Sequence, residues 1–216
     1  MELPENIPLF PLPNVVLFPD VDLPLHIFEP RYREMVADAM AADRRIGMVL
    51  LRADRTTPEG SPPSIYGDGC VGRISEFEEL SDGRSNLILH GERRFEIVDE
   101  IPGRAYRRAR VRWRDRVPGL PAPDVQDTLK ARVLALLERS GTANPEAIWG
   151  KLPEDWDHLV NLLSFGLPLN EVEKMSLLQC DGAVSRARKM IEILDFQLAE
   201  YDMGSGGASG SGESWH

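Results

Sequence analysis

The sequence predicts an α+β protein in which a small β-barrel with one inserted helix precedes a C-terminal α-helical bundle. Up to about Val117, apolar residues recur at the spacing of short strands, and prolines and glycines separate the runs. Within this half, only residues 29–42 change to helical spacing. After the proline-rich residues 117–123, the apolar spacing is helical. We therefore expect a β-barrel subdomain at residues 1–117, a helical subdomain at 118–202 and a disordered Gly/Ser tail at 203–216.

The first half begins with two apolar runs, residues 7–12 and 15–18, which Pro13 and Asn14 separate. Prolines are frequent from position 8 to position 24, which excludes a helix here and favours edge strands or extended segments. The inserted helix carries apolar residues at helical spacing, namely Tyr32, Met35, Val36, Ala39 and Met40. A polar loop is predicted at residues 53–69, and strands are predicted at 23–28, 46–51, 70–79, 86–98 and 105–117.

In the second half, helices are predicted from capping residues as well as from the spacing of apolar residues. Asp124 is expected to cap the first of them. Another is expected to start at residues 153–155, where acidic side chains suit the positive end of the helix dipole. Asn170, followed three residues later by Glu173, is typical of a capping box. The last predicted helix covers residues 181–201, and its apolar stripe favours packing on the core over a partner-binding coiled coil.

The composition restricts the class of partner and the compartment. The chain carries 25 Lys and Arg against 35 Asp and Glu, a net charge of −10, which disfavours nucleic acid and anionic membranes as partners. No signal peptide is visible, and no apolar run approaches the roughly 20 residues that span a bilayer. Two cysteines far apart in sequence, Cys70 and Cys180, fit a reducing compartment. We expect a cytoplasmic protein without membrane contact.

Sequence patterns for catalysis, cofactors and metals are missing. There is no phosphate-binding Gly-x-x-x-x-Gly-Lys-Ser/Thr motif, and no family signature surrounds a serine or cysteine. Cys70 and His90 would meet if they lay on neighbouring strands, but a small buried cysteine is the favoured interpretation. His26 lies three residues before Glu29, and a packed histidine that bonds to backbone is favoured over a metal ligand. We expect no enzyme activity, no cofactor and no metal.

An arginine-rich stretch stands out against the acidic background, because residues 84–116 hold 10 Arg and 5 acidic residues. On the last predicted strand, alternation places Ala109, Val111 and Trp113 on one face and the arginines on the other. This basic face comprises Arg108, Arg110, Arg112 and Arg114, flanked by Tyr106 and Arg116. It would suit RNA or an acidic protein segment. We favour a solvated sheet face whose arginines pair with acids such as Glu76, Glu78 and Glu79.

Four stretches of the chain form a recognisable series. Residues 7–40 open it, residues 69–74 read GCVGRI, and residues 89–97 read LHGERRFEI. The fourth stretch, residues 161–178, contains EKMSLL, with Met175 at a position where glutamine is usual. In this order the stretches resemble the N-terminal, substrate-recognising domain of the Lon family of ATP-dependent proteases. The resemblance covers about residues 5–200.

This resemblance implies a PUA-like β-barrel, related to pseudouridine synthase and archaeosine transglycosylase domains, ahead of the helical bundle. It also implies binding of unfolded or exposed polypeptide segments. Because no ATPase or protease follows, we expect a free-standing module, with a separate protease as a candidate partner. The site is expected at the barrel–helix junction or along an exposed edge strand, and the candidate peptide-binding residues are Phe28, Tyr32 and Trp113. RNA binding through residues 106–116 is the alternative.

Overall fold

A computed structural model of the chain describes residues 3–53 and 63–206, with side chains up to residue 203. Within these residues it contains six strands and six helices, which confirms the α+β class. The strands are β1 (Asn6–Leu12), β2 (Asp22–Ile27), β3 (Arg45–Leu51), β4 (Ile65–Glu79), β5 (Ser85–Ile101) and β6 (Arg107–Trp113). The helices are α1 (Pro30–Ala41), α2 (Pro123–Arg139), α3 (Pro145–Trp149), α4 (Trp156–Gly166), α5 (Glu171–Leu178) and α6 (Ala183–Gly206).

The strands form one sheet in the order β2-β5-β4-β3-β1-β6, and β5 also pairs with β6. Among the pairings of these six strands, the β1–β3 pairing alone is parallel. The 17 residues of β5 make this arrangement possible, because its first part pairs with β2 and β4 and its second part with β4 and β6. Strand β6 therefore has β1 on one side and β5 on the other.

Strand β1 contains two prolines and still lies between two neighbours. Its first part, including Pro8, pairs with β6, and its second part, including Pro11, pairs with β3. Each proline thus lies where β1 has only one paired neighbour, so its missing N–H does not remove a hydrogen bond to a second strand. The prolines predicted edge strands or extended segments, whereas β1 is an inner strand with a different neighbour at each end.

The core consists of two clusters on opposite faces of the sheet. The smaller cluster takes buried side chains from five strands and excludes β2: Ile7, Leu9, Val49, Val71, Phe95, Ala109 and Val111. The larger cluster joins α1 and the other sheet face to helices α2, α4, α5 and α6. Ala109 and Val111 are 0% and 5% exposed, as their alternation with the arginines predicted. The proposed subdomain boundary at residue 117 stays a prediction, since the larger cluster takes residues from both sides of it.

Several predicted segments differ in the structure. Residues 15–18, expected as an edge strand or an extended segment, form no strand, and Val16, Leu17 and Phe18 are buried. Strand β4 begins at Ile65, inside the predicted loop 53–69, of which residues 54–62 lie outside the described residues. The first residues of β4 fall within the predicted loop because its composition is polar. In the structure, Ile65 of β4 pairs with Leu51 of β3.

The helices follow the predictions more closely. The capping box of Asn170 and Glu173 is present in full, and Asp155 caps α4 by accepting a hydrogen bond from the His158 N–H. Helix α2 begins two residues earlier than expected, with Ala122 as its cap in place of Asp124 and Pro123 in its first turn. The short helix α3 was not predicted. Helix α6 reaches Gly206, and residues 207–216 of the predicted tail lie outside the described residues.

A buried arginine connects the sheet to the helical bundle through hydrogen bonds. Arg94 of β5 donates to the carbonyl oxygens of Leu178 at 2.8 Å and Asp181 at 3.1 Å, and also to that of Cys180. Leu178 is the last residue of α5, where carbonyl groups have no partner inside the helix. Burial lowers the pKa of the Arg94 guanidinium. A positive charge at a helix C-terminus is favourable, so Arg94 completes α5 while holding it against β5.

A second buried arginine, Arg186 of α6, binds the same end of α5. It donates to the Leu177 carbonyl oxygen at 2.9 Å and to the Asn161 side chain, and its guanidinium lies 5.8 Å from the centre of the Phe18 ring. Burial lowers the pKa of Arg186 to about 10. The end of α5 is therefore bound from the sheet side by one arginine and from the bundle side by another. Among the described residues, no helix is both long and apolar enough to cross a membrane.

Candidate functional site

Part of the sheet extends beyond its neighbours and has two unpaired edges. Strand β4 is in register with β3 only up to Arg73, and the Ile74 N–H donates to the Arg44 carbonyl at 2.8 Å. From residue 75 to residue 79 the one partner of β4 in the described chain is β5. Strand β2 likewise pairs only with β5 among the described residues. We call this region, residues 22–28, 74–79 and 85–90, the outer sheet. It is the exposed edge that the sequence predicted as one of two places for a binding site.

The two faces of the outer sheet differ in exposure. The face toward the protein carries buried side chains, namely Leu23, Ile27, Ile74, Leu87 and Leu89. The solvent face carries two cross-strand rows, which the register aligns as Pro24–Ile88–Glu76 and His26–Asn86–Glu78. The second row is hydrogen-bonded throughout. His26 Nδ1 lies 2.8 Å from the Asn86 side-chain oxygen, and the Asn86 amide donates to Glu78 at 3.1 Å.

Two aromatic side chains are exposed on the outer sheet. Phe28 follows β2 and is 60% exposed, and its ring stacks beside His26 with 6.2 Å between ring centroids. Phe77 of β4 is 39% exposed and lies in register with Leu87 at the margin of the core. A surface depression of about 430 Å³ lies over these strands and includes Phe77, Leu25 and Ile88 in its lining. The outer sheet therefore offers apolar contact area beside unpaired backbone.

The two open edges differ in the backbone groups that they present. The Gly91 N–H donates to the Val21 carbonyl. By the alternation of the antiparallel ladder, the backbone groups of β2 that point away from β5 are those of residues 22, 24 and 26. Position 24 is proline, so the β2 edge lacks its central donor. Along β4, the Leu80 N–H donates to the Arg84 carbonyl. Because hydrogen-bonded pairs alternate along an antiparallel ladder, Glu78 and Glu76 are bonded to β5, and the N–H groups of Phe77 and Glu79 point away from it.

The other two aromatic candidates lie elsewhere. Tyr32 is 6% exposed, and its ring centroid is 4.4 Å from that of Phe10. Burial is the main cause that raises its pKa. Its groove, about 510 Å³ in volume, lies between α1 and the end of β5. Trp113 is half-buried and packs edge-on against Phe95, with ring centroids 6.2 Å apart. The structure therefore places only Phe28 of the three on the outer sheet, and the role of all three in binding stays a prediction.

The sequence reasoning did not single out Phe77. Its signal is the alternation of one aromatic residue among three acids, Glu76, Phe77, Glu78 and Glu79. On a strand with one buried face, such a residue is expected to point inward. Phe77 does point toward the core face, but it lies at the margin of the core and is therefore partly exposed. Its exposure depends on how far β4 extends past β3.

Three of the four arginines of the basic face are paired with acids, but not with the acids that we expected. Arg112 donates to Glu96 at 2.7 Å, Arg110 pairs with Asp99, and Arg114 lies 3.3 Å from both Asp68 and Glu96; Arg108 donates to the Pro102 carbonyl. The hydrogen bond from Arg112 is the first cause that lowers the pKa of Glu96. The predicted partners Glu76, Glu78 and Glu79 are wrong, because β6 lies beside the second part of β5 and not beside the end of β4.

The histidine and cysteine pairs considered from sequence do not form a catalytic arrangement. Cys70 is 0% exposed and in register with Arg94, whereas His90 is in register with Arg73 and bonds to Asp22 at 2.7 Å. Burial raises the pKa of the Cys70 thiol well above its ordinary value, which disfavours the reactive thiolate. His26 contacts the Asn86 side chain and not backbone. In the described parts of the chain, no three ligand-type side chains are grouped as a metal site would need.

Comparison with known families gives one consistent result. The family model for the substrate-binding domain of ATP-dependent protease La (Lon) matches residues 6–195. The Lon protease of Flavobacterium johnsoniae is 27% identical over 211 residues, which cover 94% of this chain and 25% of that protein. Lon protease 2 of Herpetosiphon aurantiacus is 29% identical over 203 residues, covering 89% of this chain and 24% of that protein. The chain thus spans about a quarter of the length of these relatives.

Solved structures agree with this match. The crystal structure of a Lon N-terminal domain protein from Xanthomonas campestris has a TM-score of 0.65 at 25% identity and covers 87% of this chain and 97% of that one. The N-terminal domain of a Lon protease from the Mycobacterium avium complex has a TM-score of 0.64 at 17% identity, covering 88% and 98%. The second likeness concerns the fold alone. The resemblance seen in the sequence motifs is therefore confirmed.

Proposed function

Because the chain belongs to the Lon substrate-binding domain family, we propose that it is a non-catalytic recognition module that binds unfolded or exposed segments of polypeptides. The observation that carries this proposal is the outer sheet, where exposed aromatic side chains lie beside unpaired strand edges. Unfolded segments present apolar side chains and free backbone donors and acceptors. Both kinds of group have a complement on the outer sheet.

Two finer features belong to the same proposal. The pairing of β6 with both β1 and β5 supports a closed, PUA-like barrel formed by β1, β3, β4, β5 and β6. The buried attachment of the helical bundle through Arg94 supports a rigid scaffold that leaves the outer sheet accessible. An adaptor role, in which the bound polypeptide is delivered to a separate protease, and a cytoplasmic location complete the proposal. RNA as a ligand is disfavoured, because Arg110, Arg112 and Arg114 are already paired with acids.

The test of this function is fluorescence anisotropy of a labelled, permanently unfolded polypeptide titrated with the protein. Saturable binding that unlabelled RNA does not displace is expected. The Phe28→Ser variant should weaken it, because Phe28 is 60% exposed and loses contact area without leaving a cavity. Phe196→Ser is the matched control, since Phe196 is 63% exposed on α6. The absence of saturable binding, or equal losses in the two variants, would contradict the proposal for this surface.

A further inference from the structure

We infer that the bound polypeptide adds as a strand along the open edge of β4, at residues 75–79, and that the preferred segments alternate basic and apolar residues. This inference rests on the proposed function and specifies the edge, the backbone contacts and the chemistry of the segment. It follows from three properties of the edge: which backbone groups point outward, which charges flank them, and which side chains an added strand would meet.

The backbone geometry favours β4 over β2. On β4 the N–H and C=O groups of Phe77 and Glu79 point away from β5, and no strand of the described chain occupies that side. An added strand would bond to both residues. On β2 the middle outward position is Pro24, which has no N–H, so an added strand would lose a central hydrogen bond. Of the two open edges, only that of β4 keeps all of its outward donors.

The charge at the β4 edge is negative and unneutralised. Glu76, Glu78 and Glu79 are exposed and form no ion pair within the described chain, and Glu78 accepts one hydrogen bond from Asn86. In the adjoining hairpin, Arg84 is already paired with Asp82 at 2.7 Å, and the Arg33 guanidinium lies against Gly83. Arg73, His26 and His90 are the other basic side chains on the solvent face, and His90 is bonded to Asp22. An acidic or neutral segment would leave the three carboxylates uncompensated, whereas lysines or arginines would pair with them.

The alternation follows from the two faces of the added strand. Residues opposite Glu76 and Glu78 would lie on the solvent face, where these carboxylates attract basic side chains. Residues opposite Phe77 would lie on the core-facing side, beside its exposed ring. A segment with basic and apolar residues in strict alternation satisfies both faces at once. This predicts a preference set by pattern as well as by composition.

The experiment compares labelled ten-residue peptides by anisotropy: alternating Lys and Val, alternating Glu and Val, and a Lys/Val peptide with its lysines in one block. The alternating Lys/Val peptide should bind most tightly, and binding should weaken with salt. Glu76→Gln with Glu78→Gln should weaken it about fivefold to tenfold, as expected for two exposed ion pairs. The control is Glu138→Gln with Glu200→Gln, which removes the same charge at exposed helical positions.

Two further measurements test the backbone contacts. Glu79→Pro removes the outward N–H and one charge, whereas Glu79→Gln removes the charge alone, so the proline variant should bind the peptide more weakly than the glutamine variant. Hydrogen exchange at the amides of Phe77 and Glu79 should slow when peptide is bound. Equal binding of the Lys/Val and Glu/Val peptides, or unchanged exchange at both amides, would overturn the inference. Retained binding of the unfolded polypeptide in that case would leave the proposed function standing, and loss of all polypeptide binding would refute both.

Discussion

Replacing Arg94 with methionine should destabilise the protein strongly, although the side chain is distant from the outer sheet. Methionine keeps much of the apolar stem of the arginine and removes the guanidinium. The Leu178 and Asp181 carbonyl oxygens then lose the partner that holds them at 2.8 and 3.1 Å. The Cys180 carbonyl keeps a long contact with Arg186, at 3.5 Å.

The magnitude follows from those two carbonyls. A buried polar group left without a partner costs about 1–3 kcal/mol, so the buried Leu178 carbonyl and the partly buried Asp181 carbonyl together cost about 2–5 kcal/mol. Removal of a buried charge without a carboxylate partner offsets part of this loss, since burial already disfavours the charged guanidinium. We expect a net destabilisation of about 3 kcal/mol, which lowers Tm by about 6–12 °C in a domain of this size.

The assay is thermal unfolding followed by circular dichroism, with Arg93→Met as the matched control. Arg93 is the adjacent residue, its side chain is 38% exposed, and it pairs with Asp115, which is 92% exposed. Such a surface pair contributes at most about 1 kcal/mol. A Tm for Arg94→Met within about 2 °C of the wild type, well below the shift that unpaired buried carbonyls should produce, would show that the guanidinium does not hold the end of α5 as argued.

Two other predictions concern titratable groups. Hydrogen bonding from Arg112 holds the pKa of Glu96 below its ordinary 4.5, so this carboxylate stabilises the fold above pH 4.5 and the contribution is lost as the pH falls further. The Tm difference between wild type and Glu96→Gln should therefore shrink below that pH, and a constant difference would count against the pair. Cys70 is fully buried with a raised pKa, so in a Cys180→Ser variant a thiol reagent should modify it only after denaturant is added; modification of the native protein would exclude the buried, neutral thiol.

Local signals were enough to predict much of the fold. The capping box of Asn170 and Glu173 involves only residues three positions apart, and the burial of Ala109 and Val111 follows from alternation within one strand. Such features depend on contacts that the chain makes with itself over a few residues. Predictions that required the order of the strands in the sheet were less accurate. The acids predicted to face the basic residues lie on β4, whereas β6 pairs with the second part of β5.

The candidate site could be predicted only as a type of surface. An exposed edge strand was expected, but its position depends on β4 extending six residues past the end of its pairing with β3, and on Pro24 interrupting the edge of β2. Neither the extension of β4 nor the partial exposure of Phe77 can be obtained from periodicity, because both are set by the register with neighbouring strands. Of the three candidate residues, the structure places Phe28 on the outer sheet, where it is 60% exposed.

The distribution of ion pairs favours one of the two kinds of partner considered from the sequence. A basic stripe favours nucleic acid only if its charges are free to replace counterions along a phosphate backbone. Arg110, Arg112 and Arg114 are instead paired with acids of β5 and β4. The acids that the sequence assigned to them, Glu76, Glu78 and Glu79, form no ion pair in the described chain. The pairing on the basic face therefore leaves an acidic edge elsewhere, and this edge is the reason that we propose a basic, extended polypeptide as the partner.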